Sequence, residues 1–343
     1  MKEENSHQNW GFCGQENLVD FLQSALISGK PAQAYLFVGP ENIGKSTLAL
    51  KFASALLCQN KKEVSACGEC FHCRQITNGC HPDMTVIERL SDDKTEKIKR
   101  EISVEQIRDL RNKLQQTSFL SGYKLAVIPE AQYLNQNSAN GLLKIMEEPL
   151  GKTVIILIAD DLARLPKTIA SRCQVLRFLP TPEKTIAHYL VGLGAEESNA
   201  VKLAKLSFGR PGMAVSLFKG EELLKQQNQD VQNFLSIMTL SRGRRFSLVD
   251  DLIDWQDDET LNIKSLQNLF GHWQSLLRDF LLTGSGNEAL TTNLNFTAKI
   301  ESNSSAMNFA RIKKSLVEIE EAKKYLRRNV GSKFILENLI INL

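Results

Sequence analysis

One short segment constrains the fold more than any other in this chain of 343 residues. Gly39-Pro-Glu-Asn-Ile-Gly44-Lys45-Ser46 fits the pattern G-x-x-x-x-G-K-[ST] and stands between a short apolar run, Ala34–Val38, and a helical stretch, Ser46–Leu57. Such a loop works as a strand–loop–helix connection. Its backbone N–H groups wrap around an anion, glycines admit the close approach, and the next helix points its N-terminus at the same place. Lys45 is expected to reach the β- and γ-phosphates of a nucleotide and the Ser46 hydroxyl to ligate Mg²⁺, with Gly39, Pro40, Ile43, Gly44 and Thr47 completing the cradle. The plainer alternative is a Gly-rich turn carrying a surface lysine.

The surroundings agree with an α/β layer. Met84–Ile87, Leu125–Ile128 and Val154–Ile158 are further short apolar runs, as expected of parallel strands covered on both faces. Asn17–Ile27, Val104–Leu114 and Asn137–Glu148 read as helices between them, and this alternation predicts a parallel sheet. Pro180 and Pro182 punctuate its end. No strand is read from Glu183 onward. Three short helices (Glu183–Gly192, Glu196–Ser207, Gly212–Lys219) precede longer amphipathic stretches: Glu221–Thr239, Ser247–Trp255, Ile263–Leu282, Leu290–Glu301, Ala306–Arg328 and Lys333–Leu343.

At roughly 100–200 residues per domain, the length allows two or three domains. The 42% apolar and 24% charged residues are ordinary for globular chains, and a net charge of +3 does not by itself direct the protein to nucleic acid or a membrane. No apolar run approaches the roughly 18 residues of a membrane span, and MKEENSHQNW lacks the apolar core of a signal peptide. The expectation is a cytoplasmic protein. There, cysteines at Cys58-x8-Cys67-x2-Cys70-x2-Cys73 suit a metal better than disulfides. Four thiolates close a tetrahedral Zn²⁺ shell and leave no position for substrate, so the expected role is structural. A redox C-x-x-C and unliganded buried thiols are the alternatives. Cys80 and His81 rank as reserve ligands, and Cys13 and Cys173 as lone buried thiols.

A phosphate loop followed by this cysteine insertion resembles the bacterial clamp-loader subunits of the AAA+ class. Gly79-Cys80-His81-Pro82-Asp83 is similar to that family's G-x-H-P-D segment, Ser138–Pro149 (SANGLLKIMEEP) to its A-N-A-L-L-K-x-L-E-E-P helix, and Ser171-Arg172-Cys173 to its S-R-C motif. The resemblance spans most of residues 11–220. It implies an α/β P-loop (AAA+) domain over 1–180 with a zinc module at about 58–80, an all-α lid over 181–220 and an all-α collar over 221–343. It also implies a place in a hetero-oligomeric ring that acts on a sliding clamp and primer-template DNA.

Two departures bear on catalysis. Active members carry a metal-holding Asp after the strand ending here at Ile128, and then a catalytic Glu. This chain reads Pro129-Glu130, so Glu130 stands at the base position of a degenerate pair. Active members also carry a lid arginine where Gly212 stands in Gly209-Arg210-Pro211-Gly212, and Arg210 is two residues off. Binding of ATP or ADP with weakly held Mg²⁺ and little or no intrinsic ATPase is the resulting expectation, because phosphoryl transfer rests on positioning and charge neutralisation. The role implied is a stator-type subunit that lends Arg172 to a neighbour's ATP site. The local alternative for Arg172 is an ion pair with a nearby carboxylate.

An active motor ATPase of the same complex and an unrelated zinc-containing DNA-binding module are the rival readings. Salt-dependent DNA binding by the chain alone is what the second would show. Arg242, Arg244 and Arg245, and Lys323, Lys324, Arg327 and Arg328, read first as solvated faces and second as contacts for DNA or another subunit. Trp255 and Trp273 read as core. His7, His72, His188 and His272 have no evident catalytic partner.

Overall fold

The computed structural model describes residues 10–91, 98–119, 122–148, 151–256, 259–303, 307–326, 328 and 330–343. Its contacts divide the chain into two units. One comprises the residues up to Gly194 with Ser207–Ala214, and the other Ala195–Leu206 with Val215–Leu343. No helix among the described residues is long and apolar enough to cross a membrane.

The first unit is built on strands β1 (Ala34–Val38), β2 (Met84–Val86), β3 (Lys124–Ile128), β4 (Thr153–Ala159) and β5 (Gln174–Arg177), in the order β2-β3-β4-β1-β5. All pairings are parallel. Alternate residues of each strand point to opposite faces, so one sheet feeds two cores. Tyr35, Phe37, Val154 and Ile156 pack with α1 (Glu16–Ile27) and α2 (Lys45–Leu57), around the buried Phe52 and Leu56. Leu36, Val38, Ile155 and Leu157 pack on the other face with α4 (Val104–Gln115) and α5 (Gln136–Glu147), which follow the short α3 (Phe71–Thr77) in the chain. The Ser103 side chain and Gln106 cap α4 reciprocally, and Asn135 Oδ1 accepts from Ser138 N at 2.8 Å to start α5. Beyond α5 come α6 (Lys167–Ala170) and α7 (Glu183–Gly192).

The parallel α/β reading holds, with three elements that the sequence did not reveal: β5, α3 and the four-residue α6. β5 is a four-residue edge strand, Gln-Val-Leu-Arg, with only Leu176 buried, so it lacks the continuous apolar signal. α3 lies inside the cysteine segment. Pro149, the last residue of the Ser138–Pro149 segment, lies outside the described residues, as does His7.

Helices make up the rest: α8 (Glu197–Leu206), α9 (Pro211–Lys219), α10 (Glu221–Thr239), α11 (Arg242–Phe246), α12 (Val249–Leu252), α13 (Glu259–Gly284), α14 (Thr297–Asn303), α15 (Phe309–Leu326) and α16 (Ser332–Asn342). The core of the second unit gathers Phe234, Phe270, Trp273, Ile319 and Leu336. Trp273 is fully buried, whereas Trp255 is partly buried and packs against the core from outside. His272 pairs with the buried Asp230 at 2.6 Å, a partnership unseen in the sequence.

Two expected helices are shorter than read. Ser247–Trp255 resolves into α12 flanked by turns, with Ile253 already extended. Leu290–Glu301 is α-helical only from Thr297. There the buried Asp279 carboxylate accepts from the Thr292 and Asn293 amides at 2.9 and 2.7 Å, fixing both as a turn. The basic segments also resolve individually. Arg245 is buried and donates to the carbonyls of Leu240 and Ile340, so it fastens α11 to α16 and does not face solvent. Lys323 donates to Gln274, and α15 ends at Leu326 before Arg328. Arg327 lies outside the described residues.

Candidate functional site

The 39–47 loop leaves the C-terminal end of β1 and enters α2, whose first turn has no side-chain cap. Its N-terminal amides therefore remain for an anion. Gly44 is at φ +106°, and a Cβ there would stand 2.6 Å from the Phe12 ring, so only glycine closes this turn. Lys45 is buried. Its Nζ donates to the carbonyls of Gly39 and Pro40, and lies 3.4 Å from Asp160 Oδ1 at the end of β4. Burial pushes the ammonium below the usual lysine range, and Asp160 pulls it back. Ser46 and Thr47 are exposed at the mouth and Ile43 is buried beneath.

Of the two residues at the positions expected to hold the metal and the base, the second makes local contacts of its own. Pro129 offers no side-chain oxygen. Glu130 sits at φ +54° and is gripped by Arg89, whose Nη2 reaches both carboxylate oxygens at 3.0 and 3.2 Å while its Nε donates at 3.2 Å. The Arg89 guanidinium in turn stacks 3.9 Å from the Tyr133 ring centroid. Arg89 stands in a loop with no pattern that would single it out in the sequence.

At Gly212 an added Cβ would stand 2.6 Å from the Asn42 carbonyl oxygen, which also accepts from Met213 N at 3.3 Å. The start of α9 is thus pressed onto the loop backbone, leaving no room for a side chain. Arg210, two residues earlier, donates from Nε to Ser207 O and feels the Glu41 charge, while burial pushes its pKa down. Replacement Gly212→Arg is expected to cost about 1–3 kcal/mol through overpacking. Denaturant titration would read this as a lowered midpoint, and an unchanged midpoint would show the contact to be slack.

The four cysteines converge from three directions. Cys58 ends α2, Cys67 precedes Gly68 at φ +76°, Cys70 is the N-cap of α3 and Cys73 lies in its first turn. Their sulfurs all lie within 4.8 Å of one another, with Cys58–Cys67 at 3.6 Å and Cys58–Cys70 and Cys67–Cys73 both at 3.9 Å. Metal–sulfur bonds of about 2.3 Å make a tetrahedron with edges of about 3.8 Å, so the set fits one metal ion. Backbone N–H groups at Glu69 and Cys70 hold the Cys67 thiol low. In Cys70 burial is outweighed by N–H donors and the thiol falls to about 6, while burial pushes Cys73 up to about 12.

The reserve ligands lie elsewhere. Cys80 is exposed, and His81 Nε2 meets His72 Nδ1 at 2.9 Å. His81 Nδ1 accepts from Asp83 N at 3.1 Å, and Asp83 accepts from Ser118 and Phe119. This chain of bonds bolts the cysteine module to the β2–β3 edge. Cys13 is buried, as read, whereas Cys173 is only partly so.

Arg172 is exposed after α6. Its Nη2 lies 2.6 Å from Glu147 Oε1 and its Nη1 donates to Thr168 O at 3.2 Å. The local carboxylate that the sequence alternative required is thus present, on α5, although the Arg172 side chain stays 40% exposed.

A parallel sheet with a phosphate-loop connection after β1 and helices on both faces defines a P-loop α/β domain. Residues 14–182 match the profile of the family described as "DNA polymerase III, delta subunit". DNA polymerase III subunit delta-prime of Pseudomonas aeruginosa is 36% identical over 245 residues, covering 69% of this chain and 73% of the relative. The subunit of the same name from Bacillus subtilis is 27% identical over 334 residues, 96% of each chain. Among solved structures, a DNA polymerase III gamma subunit-related protein of Thermotoga maritima aligns over 94% of this chain and 96% of its own at a TM-score of 0.44 and 15% identity. The chain belongs to the DNA polymerase III delta-prime family, clamp-loader AAA+ subunits of DNA replication.

Proposed function

We propose that this chain serves its clamp-loader complex as a nucleotide-binding stator that turns nucleotide over poorly itself and lends Arg172 to the ATP site of a neighbouring subunit. The observation that carries the reading is an intact phosphate cradle combined with Pro129 at the metal-ligand position and Gly212 at the lid-cation position. Lys45 and the open amides of α2 supply anion binding. Neither Pro129 nor Gly212 supplies charge to a transferring phosphoryl group. In this reading residues 181–220 form the lid and 221–343 the collar that joins other subunits of the ring, which acts on the sliding clamp and primer-template DNA. Cys58, Cys67, Cys70 and Cys73 hold one structural Zn²⁺.

Equilibrium binding of labelled ATP and single-turnover hydrolysis by the purified chain test the proposal. Binding is expected, weakened about tenfold or more in Lys45→Ala, since a buried charge-assisted contact is worth roughly 1.5–3 kcal/mol. Hydrolysis is expected far below the 1–10³ s⁻¹ typical of enzymes. Turnover within that range by the chain alone would assign it to the motor class instead.

A further inference from the structure

We propose that Asp160 is the carboxylate that serves the divalent cation of a nucleotide held in the 39–47 loop, in place of the oxygen Pro129 cannot provide. The inference rests on the nucleotide-binding reading above.

The sheet register brings Asp160 to the loop. Val38 pairs with Ala159, and Gly39 N donates to Ala159 O at 3.3 Å, so Asp160 follows directly at the level where the loop begins. Ile128 pairs with Leu157 one strand further out, so Pro129 leaves β3 earlier and farther from β1. The side chain is already directed inward. Its Oδ1 lies 3.4 Å from Lys45 Nζ, while Oδ2 accepts from Gln132 Nε2 at 3.1 Å and stands 3.7 Å from Arg164 Nη1.

Two neighbouring acids are committed, and the charge of a third, Glu41, acts on Lys45 more weakly than that of Asp160. Glu130 is held by Arg89, and Asp161 accepts from Ala163 N at 2.9 Å. Glu41 is exposed on the loop itself.

Charge decides what Asp160 does when a polyphosphate arrives. Lys45 carries the cation that Asp160 now balances, and phosphate oxygens compete for the same ammonium. A carboxylate left beside a polyanion is repulsive unless a divalent cation lies between them. Carboxylate and phosphate oxygens together are the donor set such a hard cation takes. Ser46, next to Lys45 at the start of α2, adds its hydroxyl to that set. Gln132 and Arg164 keep the carboxylate aimed, so they act as positioning residues.

The test is equilibrium binding of labelled ATP to the full chain, wild type and Asp160→Asn, in excess Mg²⁺ and in EDTA. It is paired with Mn²⁺ binding in the presence of nucleotide, read from water-proton relaxation. Wild type is expected to bind at least about tenfold tighter with Mg²⁺ than in EDTA, as expected when the cation turns carboxylate–phosphate repulsion into attraction. Asp160→Asn is expected to bind more weakly than wild type in Mg²⁺ but more tightly in EDTA, so the two media converge and the Mn²⁺ enhancement falls. Unchanged zinc content and melting would show the variant folded.

If Asp160→Asn strengthens binding in both media, the carboxylate acts as bare charge and the proposal is overturned. Equal cation dependence in the two proteins, or none in wild type, overturns it as well while leaving nucleotide binding standing. A wild-type chain that binds no nucleotide in either medium removes the nucleotide reading and this inference together.

Discussion

Replacing Arg172 with alanine is expected to slow ATP hydrolysis at the neighbouring subunit's site by roughly 10³–10⁵-fold in the reconstituted complex, the usual range for a trans arginine. The same change should leave this chain's melting nearly unmoved. Arg172 and Glu147 are 40% and 50% exposed, and an exposed pair of this kind is worth about 0–1 kcal/mol. A 10³-fold rate loss corresponds to about 4 kcal/mol of transition-state stabilisation, so the two roles separate cleanly on magnitude. Arg172→Lys should recover only part of the rate, because a lysine keeps the charge but loses the planar fork. Zinc content and ATP binding by the isolated variant should match wild type. The deciding measurement is DNA-stimulated ATPase with Arg172→Ala, at matched assembly. Full activity there would leave Arg172 as the local partner of Glu147 and nothing more.

Substituting Cys70 with serine is expected to remove about one zinc per chain and to unfold the 58–80 module while the sheet survives. A seven-residue helix such as Phe71–Thr77 is far too short to persist unaided. Its N-cap is Cys70 and its first turn carries Cys73, so the metal shell and the helix stand or fall together. Zinc analysis should find about one ion in wild type and none in the variant. Amide exchange should lose protection over residues 71–77, while β1 and β4, buried on both faces, keep theirs. A wild-type protein that is folded, fully protected in α3 and free of metal would sink the zinc assignment.

The parts of this architecture that were readable are those whose physics is local. β1, β3 and β4 announce themselves because a strand covered on both faces must be apolar throughout, and all three are buried along their whole length. The convergence of the four cysteines was equally legible, since a spacing that suits a tetrahedral shell brings the sulfurs within 4.8 Å of one another. β5 escaped because one buried residue in an edge strand carries no period.

The polar neighbourhood of the loop escaped for another reason. Arg89 meets Glu130 across 41 positions and Asp160 meets Lys45 across 115. Only the sheet order β2-β3-β4-β1 makes those residues neighbours. The histidine pair is a similar case: His72 read as having no catalytic partner and His81 as a reserve ligand, yet a turn at Asn78–Gly79 folds one onto the other. Arg245 shows the converse error of composition, where a cation in a basic cluster proves to be a buried fastener.

The contact between Gly212 and Asn42 joins the start of α9 to the 39–47 loop through bare backbone. An arginine placed at 212 would first drive its Cβ into a carbonyl oxygen 2.6 Å away, before the guanidinium reached anything. A shift of the backbone at Asn42 would relieve that clash, but such a shift by itself loosens the loop that Met213 braces. At position 212, then, the loop backbone sets the first cost of any substitution, before the chemistry of the new side chain counts.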